Sequence, residues 1–407
     1  MTVVDTAAPA SPVPTSPQPD DIVAAVRDLV PRLRERARQT ELDRRISPET
    51  MAECQNTGVF RLMQPRRFGG YEYPFSTFVR VQVELGRGCG STAWAAGISA
   101  LHNWLVGLFP LEAQEEVWAD PAALINGAYA PTGVCEAVDG GYRVSGSWSW
   151  ASNCDYAQWL VVSAFLPKSD PAGPPAAAWF LVPRSAIRID DDWFASGMAG
   201  TGSKTIAIDE PVFVPSHRTL SLAEMNSGAA PGSRVNANML YRLTFFGTAP
   251  FTLCSVPLGI ATGAVETFSE MAQTKMTSRP GAPPVLMATL PHVQLALSEA
   301  AAIVDALTLL IRRDVEEIDA FHARGEMLGA GERIRHRRDH SFIAKEAARA
   351  VDVLYDALGA SGGMLSSPIQ RAWRDVNLVN HHLSLSWPMV GTMYGQYATG
   401  QKPVGTF

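Results

Sequence analysis

From Asp20 to about Ala119 apolar residues recur at three- and four-residue steps, beginning with Ile22, Val26, Leu29, Val30 and Leu33. That is the period of helices with one buried face. Ser47-Pro48-Glu49 predicts a helix start, with serine as cap and proline in the first turn, and Gly58 is placed to end that helix. Between about Pro121 and Arg218 the period drops to two. Runs such as Tyr142-Arg-Val-Ser, Trp159-Leu-Val-Val-Ser and Thr205-Ile-Ala-Ile are punctuated by Asp-Gly, Pro and Gly, which predicts short strands and tight turns. Long amphipathic stretches return after Asn236, over residues 259–276, 293–323 and 334–358, broken by Pro280-Gly281 and by the glycines from Gly359 to Gly363. The expected architecture is mainly α with a central β domain: a disordered tail over 1–19, a helical domain over 20–120, the β domain over 121–220 and a helical bundle over 236–407.

Composition narrows the function classes. Hydrophobic residues make up 46% of the 407 and charged ones 18%, with a mean hydropathy of +0.01, which suits a soluble globular protein with a large core. A net charge of -6 offers polyphosphate no long-range attraction, so nucleic acid is not an expected partner. Polar residues interrupt even the apolar segment 98–109, so no membrane span is expected. The N-terminus lacks the basic and apolar regions of a signal peptide, and five widely spaced cysteines without a C-x-x-C pair fit reduced thiols in the cytoplasm. The glycine-rich run Gly86-Arg-Gly88-Cys-Gly90 follows a helical pattern and lacks the third glycine of the dinucleotide fingerprint, so a nicotinamide site is not supported. His336 and His340 stand at i and i+4, a spacing that can hold a metal, but arginines crowd the run from Arg333 to His340. A solvated basic face with no metal is the expectation there.

Several segments carry a resemblance. Phe68-Gly69-Gly70-Tyr71, the strand Gly140-Gly-Tyr-Arg-Val-Ser-Gly-Ser-Trp-Ser-Trp150-Ala-Ser152-Asn153, and Gly359-Ala-Ser-Gly-Gly363 followed by Arg371-Ala-Trp-Arg374-Asp375 resemble motifs of the acyl-CoA dehydrogenase superfamily. The resemblance implies that superfamily's fold: an N-terminal helical domain, a β-barrel domain and a C-terminal four-helix bundle. Dehydrogenases of this fold commonly carry a catalytic glutamate just after the late Arg-Asp. Here the segment reads Asn377-Leu-Val-Asn-His381-His382-Leu-Ser, and no carboxylate follows Asp375 to the end of the chain. A histidine in that place, together with Gly146-Ser-Trp-Ser-Trp-Ala-Ser-Asn-Cys-Asp155, is similar to the oxygenase components of two-component flavin monooxygenases that act on phenols and indoles. In that segment Asn153 stands where those relatives carry glycine.

The resemblance then implies a reduced-flavin-dependent monooxygenase that takes FADH2 (or reduced FMN) from a separate flavin reductase and hydroxylates a small aromatic substrate with O2 through a flavin C4a-hydroperoxide. Ser152 is the candidate hydroxyl beside the flavin N5, with Trp148 and Trp150 shaping the pocket. His381 is the candidate acid-base residue, since neutral-range titration suits proton transfer and adjacent helical side chains diverge by about 100°. Trp94 and His102 match the spacing of an aromatic and a histidine that line the substrate site of the hydroxyphenylacetate branch. Arg279 is the implied flavin-phosphate contact, and Gly362 and Gly363 belong to a segment that, in this fold, touches the flavin of a neighbouring subunit, implying a homotetramer or homodimer. Oxygenation at nitrogen, a dehydrogenase with a relocated base and a catalytically silent flavin carrier are the competing expectations.

Overall fold

The computed structural model describes residues 17–167, 175–279 and 281–407, so the expected tail lies almost wholly outside the described residues. The first helices are α1 (Pro19–Asp43), α2 (Pro48–Thr57), α3 (Phe75–Gly88), α4 (Gly90–Val106) and α5 (Leu111–Val117). Local chemistry sets their ends. Ser47 Oγ accepts the Thr50 amide at the start of α2, and Gly58 closes it at φ 84°, a left-handed conformation open to glycine at little cost. Helix α4 is buried on nearly every side.

Eight strands follow: β1 (Ile125–Gly127), β2 (Val134–Val138), β3 (Gly141–Ala151), β4 (Trp159–Phe165), β5 (Ala177–Pro183), β6 (Arg188–Asp190), β7 (Lys204–Pro215) and β8 (Thr219–Ser221). They form two open four-stranded sheets, ordered β1-β4-β5-β8 and β2-β3-β7-β6. The expected barrel does not close. The two sheets instead bury Val144, Trp148, Leu160, Val162, Phe180 and Ile206 between them as a second core, which removes their apolar faces from water without a continuous ladder.

After the short α6 (Leu222–Met225), the bundle is built from α7 (Phe245–Thr274), α8 (Pro291–Ala323), α9 (Ala330–Ala357) and α10 (Pro368–Asn380), with the hairpin β9 (Met276–Arg279) and β10 (Ala282–Leu286) between α7 and α8. Helices α7 and α9 form its middle and α8 and α10 flank them, while α11 (Trp387–Ala398) packs on α9. Helix α7 starts well before residue 259. Its first half is apolar on all sides and holds Pro250 and Pro257, so it shows neither amphipathic period nor obvious continuity, yet it is the central, buried helix. Helices α7 and α8 are also long and apolar enough to cross a membrane by length and composition, contrary to expectation; the most apolar stretch of α7 is 89% buried inside the protein.

The run from Arg333 to His340 is corrected as well. His336, Arg337, Asp339 and His340 are all buried in α9, where Glu317 pairs with His336 and Arg335, and Asp339 with Arg313. Ion pairs that run both ways across the α8–α9 interface, Glu317 to Arg335 and Asp339 to Arg313, hold this charge in place of a solvated face. Among the described residues no group of three or more side chains could hold a metal ion. All five cysteines are free thiols.

Candidate active site

A cavity of about 560 Å³ opens where the end of β3, the loop before β7, α4 and the end of α10 meet. Strand β3 reaches it through a distortion. Trp148 and Trp150 have the same parity, so a regular strand would place both on one face. The register against β7 shifts between Trp148 and Ala151, and Trp150 adopts φ 70°. Trp148 therefore stays fully buried with Nε1 on the Ser163 carbonyl at 2.7 Å, whereas Trp150 is 73% exposed and lines the cavity. Trp148 thus belongs to the core and not to the pocket wall. Positive φ at tryptophan is strained, and Asn153 at φ 57° and Met198 at φ 50° repeat the strain around the same opening.

Ser152 lies at the head of a hydrogen-bonded chain whose direction can be read. Trp94 Nε1 donates to Ser152 Oγ at 2.9 Å, Ser152 Oγ lies 2.7 Å from Ser203 Oγ, and Ser203 Oγ 2.7 Å from Thr201 Oγ1. Thr201 Oγ1 ends the chain on the Met198 carbonyl at 2.9 Å. A carbonyl only accepts and an indole N–H only donates. Thr201 must therefore donate to Met198, Ser203 to Thr201 and Ser152 to Ser203. Ser152 keeps one free lone pair, so toward the cavity it is an acceptor.

Below it, Asn153 Nδ2 donates to Ser99 Oγ, Ser99 Oγ to Asn126 Oδ1, and Asn126 Nδ2 to the Asn153 carbonyl, a closed buried network that fixes the 152–153 peptide. The opposite wall is held by the Arg374-Asp375 pair of α10. Arg374 Nη1 donates to the Ser196 carbonyl at 2.6 Å and pairs with Glu41, and the Asp375 carboxylate accepts the Met198 amide at 2.5 Å. Gly197 permits this contact, since a Cβ there would sit 2.3 Å from the Arg374 carbonyl oxygen. Burial raises Asp375 to about 6, opposed by the Met198 amide and the nearby arginines.

Both histidines at the end of α10 line the cavity. Their expected divergence does not arise, because the helix ends at Asn380: His381 is its C-cap, and His382 is already extended as the cap of the turn 383–385. The His382 ring centroid lies 5.7 Å from that of Trp94, one bond away from Ser152. Protein surrounds His382 closely enough that burial, with Arg337 as the second cause, holds its pKa down to about 4, although the ring faces open volume and meets solvent there.

The structure brings Trp94, Trp150, Ser152 and His381 together and leaves the other candidates elsewhere. His102 does not line the cavity. It is fully buried, with Nδ1 donating to the Ile98 carbonyl at 2.7 Å and Nε2 accepting from the Tyr129 hydroxyl at 2.9 Å, in a stack with Tyr129 and Trp179 that Phe245 meets edge-on. Burial lowers its pKa to about 4, so it is neutral there. Arg279 ends β9, and Gly362 and Gly363 lie in the turn Gly359–Gly363; the two segments are neighbours, joined by Lys275 Nζ to Ser361 Oγ at 2.9 Å. Gly362 and Gly363 are not part of the cavity wall. Residues that sequence reasoning missed are Trp193, Thr201 and Ser203, which reach the wall from a loop with no motif of its own. Among the described residues no carboxylate lines the cavity.

An apolar cavity between an open β sandwich and a helical bundle, with three indole faces, an acceptor hydroxyl, two histidines and, among the described residues, no carboxylate, is the arrangement that an oxygenase on an acyl-CoA dehydrogenase scaffold would use. Comparison with known proteins agrees with that class. The family models for the acyl-CoA dehydrogenase N-terminal and C-terminal domains match residues 16–124 and 251–387. The chain is 41% identical over 393 residues to the oxygenase component of the FADH(2)-dependent resorcinol hydroxylase of Rhizobium sp. (strain MTP-10005), covering 95% of each. Among solved structures, the HsaA monooxygenase of M. tuberculosis superposes with a TM-score of 0.89 at 34% identity, covering 96% of this chain and 99% of that one. XiaF from Streptomyces sp., solved in complex with FADH2 and glycerol, gives a TM-score of 0.84 at 26% identity over 95% of this chain and 97% of its own. The chain belongs to the acyl-CoA dehydrogenase superfamily, among the oxygenase components of flavin-dependent monooxygenases.

Proposed function

We propose that this protein hydroxylates a small phenolic or indole-type substrate with O2, using reduced flavin delivered by a separate reductase. The observation that carries this reading is the joining, in one apolar cavity, of the Ser152 acceptor lone pair with the histidine pair and three indole faces, with no carboxylate among the described lining residues to abstract an acyl α-proton. The cavity is large enough for an aromatic ring system, as ligand sites commonly span about 300–1,000 Å³. The residues fit a flavin: Ser152 has an unused acceptor, which suits the N–H that a reduced flavin presents and an oxidised one lacks, and Trp94, Trp150 and Trp193 offer flat apolar walls.

Bound reduced flavin would supply two electrons to O2, one oxygen atom passing to the substrate and the other leaving as water. The chain's own residues do the rest. Ser152 holds the flavin N–H, fixed in polarity by Ser203, Thr201 and Trp94. The indoles exclude water that would divert oxygen to peroxide. His381 and His382 handle the proton at the substrate's O–H or N–H. His102, held by the Ile98 carbonyl and the Tyr129 hydroxyl, stays with the buried aromatic layer and takes no part in proton transfer on this reading.

The reading extends to assembly as a homo-oligomer. On α8, whose most apolar stretch is only 28% buried, Leu295 and Leu309 are 71% and 55% exposed at a spacing that puts them on one face. Gly362 and Gly363 stand away from the chain's own cavity, as a segment serving a neighbour's flavin would. Free thiols fit a cytoplasmic setting. The test supplies the purified protein with a general flavin reductase, NADH and O2, and offers resorcinol-type phenols and indole. A hydroxylated product carrying one atom from labelled O2 is expected. Peroxide alone with every substrate, or bleaching of bound oxidised flavin by an acyl-CoA, would overturn the proposal.

A further inference from the structure

We infer that the cavity holds its two histidines in opposite tautomers, His381 as a proton acceptor and His382 as a fixed hydrogen-bond donor. The assignment rests on backbone partners alone. His381 Nδ1 lies 2.6 Å from the Asn377 carbonyl oxygen. That oxygen has only lone pairs, so Nδ1 carries the hydrogen and the neutral ring presents a bare Nε2. Taking up a second proton at Nε2 leaves the Asn377 bond intact, so His381 can gain and lose a proton without moving.

His382 is wired the other way. The Ser384 amide donates to His382 Nδ1 at 3.2 Å, closing the turn 383–385. Nδ1 therefore keeps its lone pair and the hydrogen sits on Nε2, which has no partner among the described residues. A proton on Nδ1 would face the Ser384 N–H and break the cap. Burial and the Arg337 charge act in the same direction. His382 is thus a donor that does not become a base.

The consequence deepens the hydroxylase reading and rests on it: the substrate class is one with an ionisable O–H or N–H beside the carbon that is oxygenated. Its proton moves to His381 Nε2, the O–H bond breaking, an N–H bond forming and the electron pair staying on oxygen as a phenolate. His382 Nε2–H steadies the oxygen that gathers charge, and the proton is returned in the step that releases water. A non-ionisable arene gains nothing from this pair.

The tautomers are measurable without flavin or substrate. Two-bond proton–nitrogen spectra of histidine-labelled, ligand-free protein at about pH 8, well above the ordinary histidine range, with His381→Ala and His382→Ala to assign the rings, should give Nδ1–H for His381 and Nε2–H for His382. The same tautomer on both rings overturns the inference whatever the enzyme does. The chemical arm uses glutamine, whose amide N–H can replace the Nε2–H donor but cannot take a proton. His382→Gln should recover at least tenfold of the hydroxylation lost in His382→Ala. His381→Gln should fall as far as His381→Ala, by about 10²- to 10⁴-fold. Rescue at position 381 and none at 382 overturns the assignment. A wild-type protein that forms no product with any phenol or indole refutes the hydroxylase reading instead, and leaves the spectra to decide the tautomers.

Discussion

Replacing Ser152 with alanine removes one oxygen and disturbs three partners at once. The Trp94 indole N–H loses its acceptor, Ser203 loses the proton donated to it, and the cavity loses the acceptor lone pair that Ser152 presents. An unsatisfied donor in a buried site costs about 1–3 kcal/mol. Spent on the balance between oxygen transfer and peroxide release, that range is about 5- to 150-fold. The assay is the ratio of hydrogen peroxide to hydroxylated product per NADH consumed, with a general reductase present in excess. Two companion variants separate function from packing. Trp94→Phe removes the donor without orphaning any acceptor needed at the flavin, so its ratio should rise less than that of Ser152→Ala. Ser203→Ala frees the Ser152 hydroxyl to rotate and donate into the cavity, and should fall between the two. A Ser152→Ala protein with wild-type coupling, or one in which Trp94→Phe is the worse uncoupler, would refute the polarity argument.

Trp150→Asn should separate stability from binding: asparagine tolerates the positive φ that tryptophan is forced into, so the urea midpoint should hold or rise, while reduced-flavin affinity measured under anaerobic conditions should fall. Asp375→Asn keeps an acceptor for the Met198 amide and removes a buried acid whose folded pKa, about 6, lies above the unfolded value near 3.9. A raised pKa means that the stability it contributes is full below about pH 4 and lost as pH climbs through about 6. The variant's unfolding free energy should therefore gain on the wild type between pH 4 and pH 7, by up to about 3 kcal/mol; a gap that narrows with rising pH would contradict this. Gly86→Ala should destabilise the protein by about 1–3 kcal/mol in chemical denaturation, because the added Cβ would lie 2.9 Å from Gly259 Cα where α3 crosses α7.

The amino-acid sequence determined on its own what depends on neighbours along the chain. A period near 3.6 giving way to 2 and returning marked the helical, β and helical segments, since side-chain direction repeats with backbone geometry. Ser47 and Gly58 bounded α2 for the same local reason, and the strand motif leading to Ser152 resembles that of the flavin monooxygenases. Long-range placement was decided only by the tertiary structure. The sheets stay open, and α7 is a single buried helix whose uniform apolarity erased its period. His336 is buried against Glu317 and Asp314 of α8, and His340 against Phe251 of α7, pairings no local pattern records. A bulge sends Trp150 to the cavity while Trp148, of the same parity, goes to the core. His102 is turned to Tyr129 and away from the opening. The end of α10 at Asn380 lets both His381 and His382 face one volume, and the chain from Trp94 through Ser152, Ser203 and Thr201 gives Ser152 its direction. Contacts such as that of Asp375 with Met198 join residues 177 positions apart, and only close packing of distant elements can set which atoms donate and which accept.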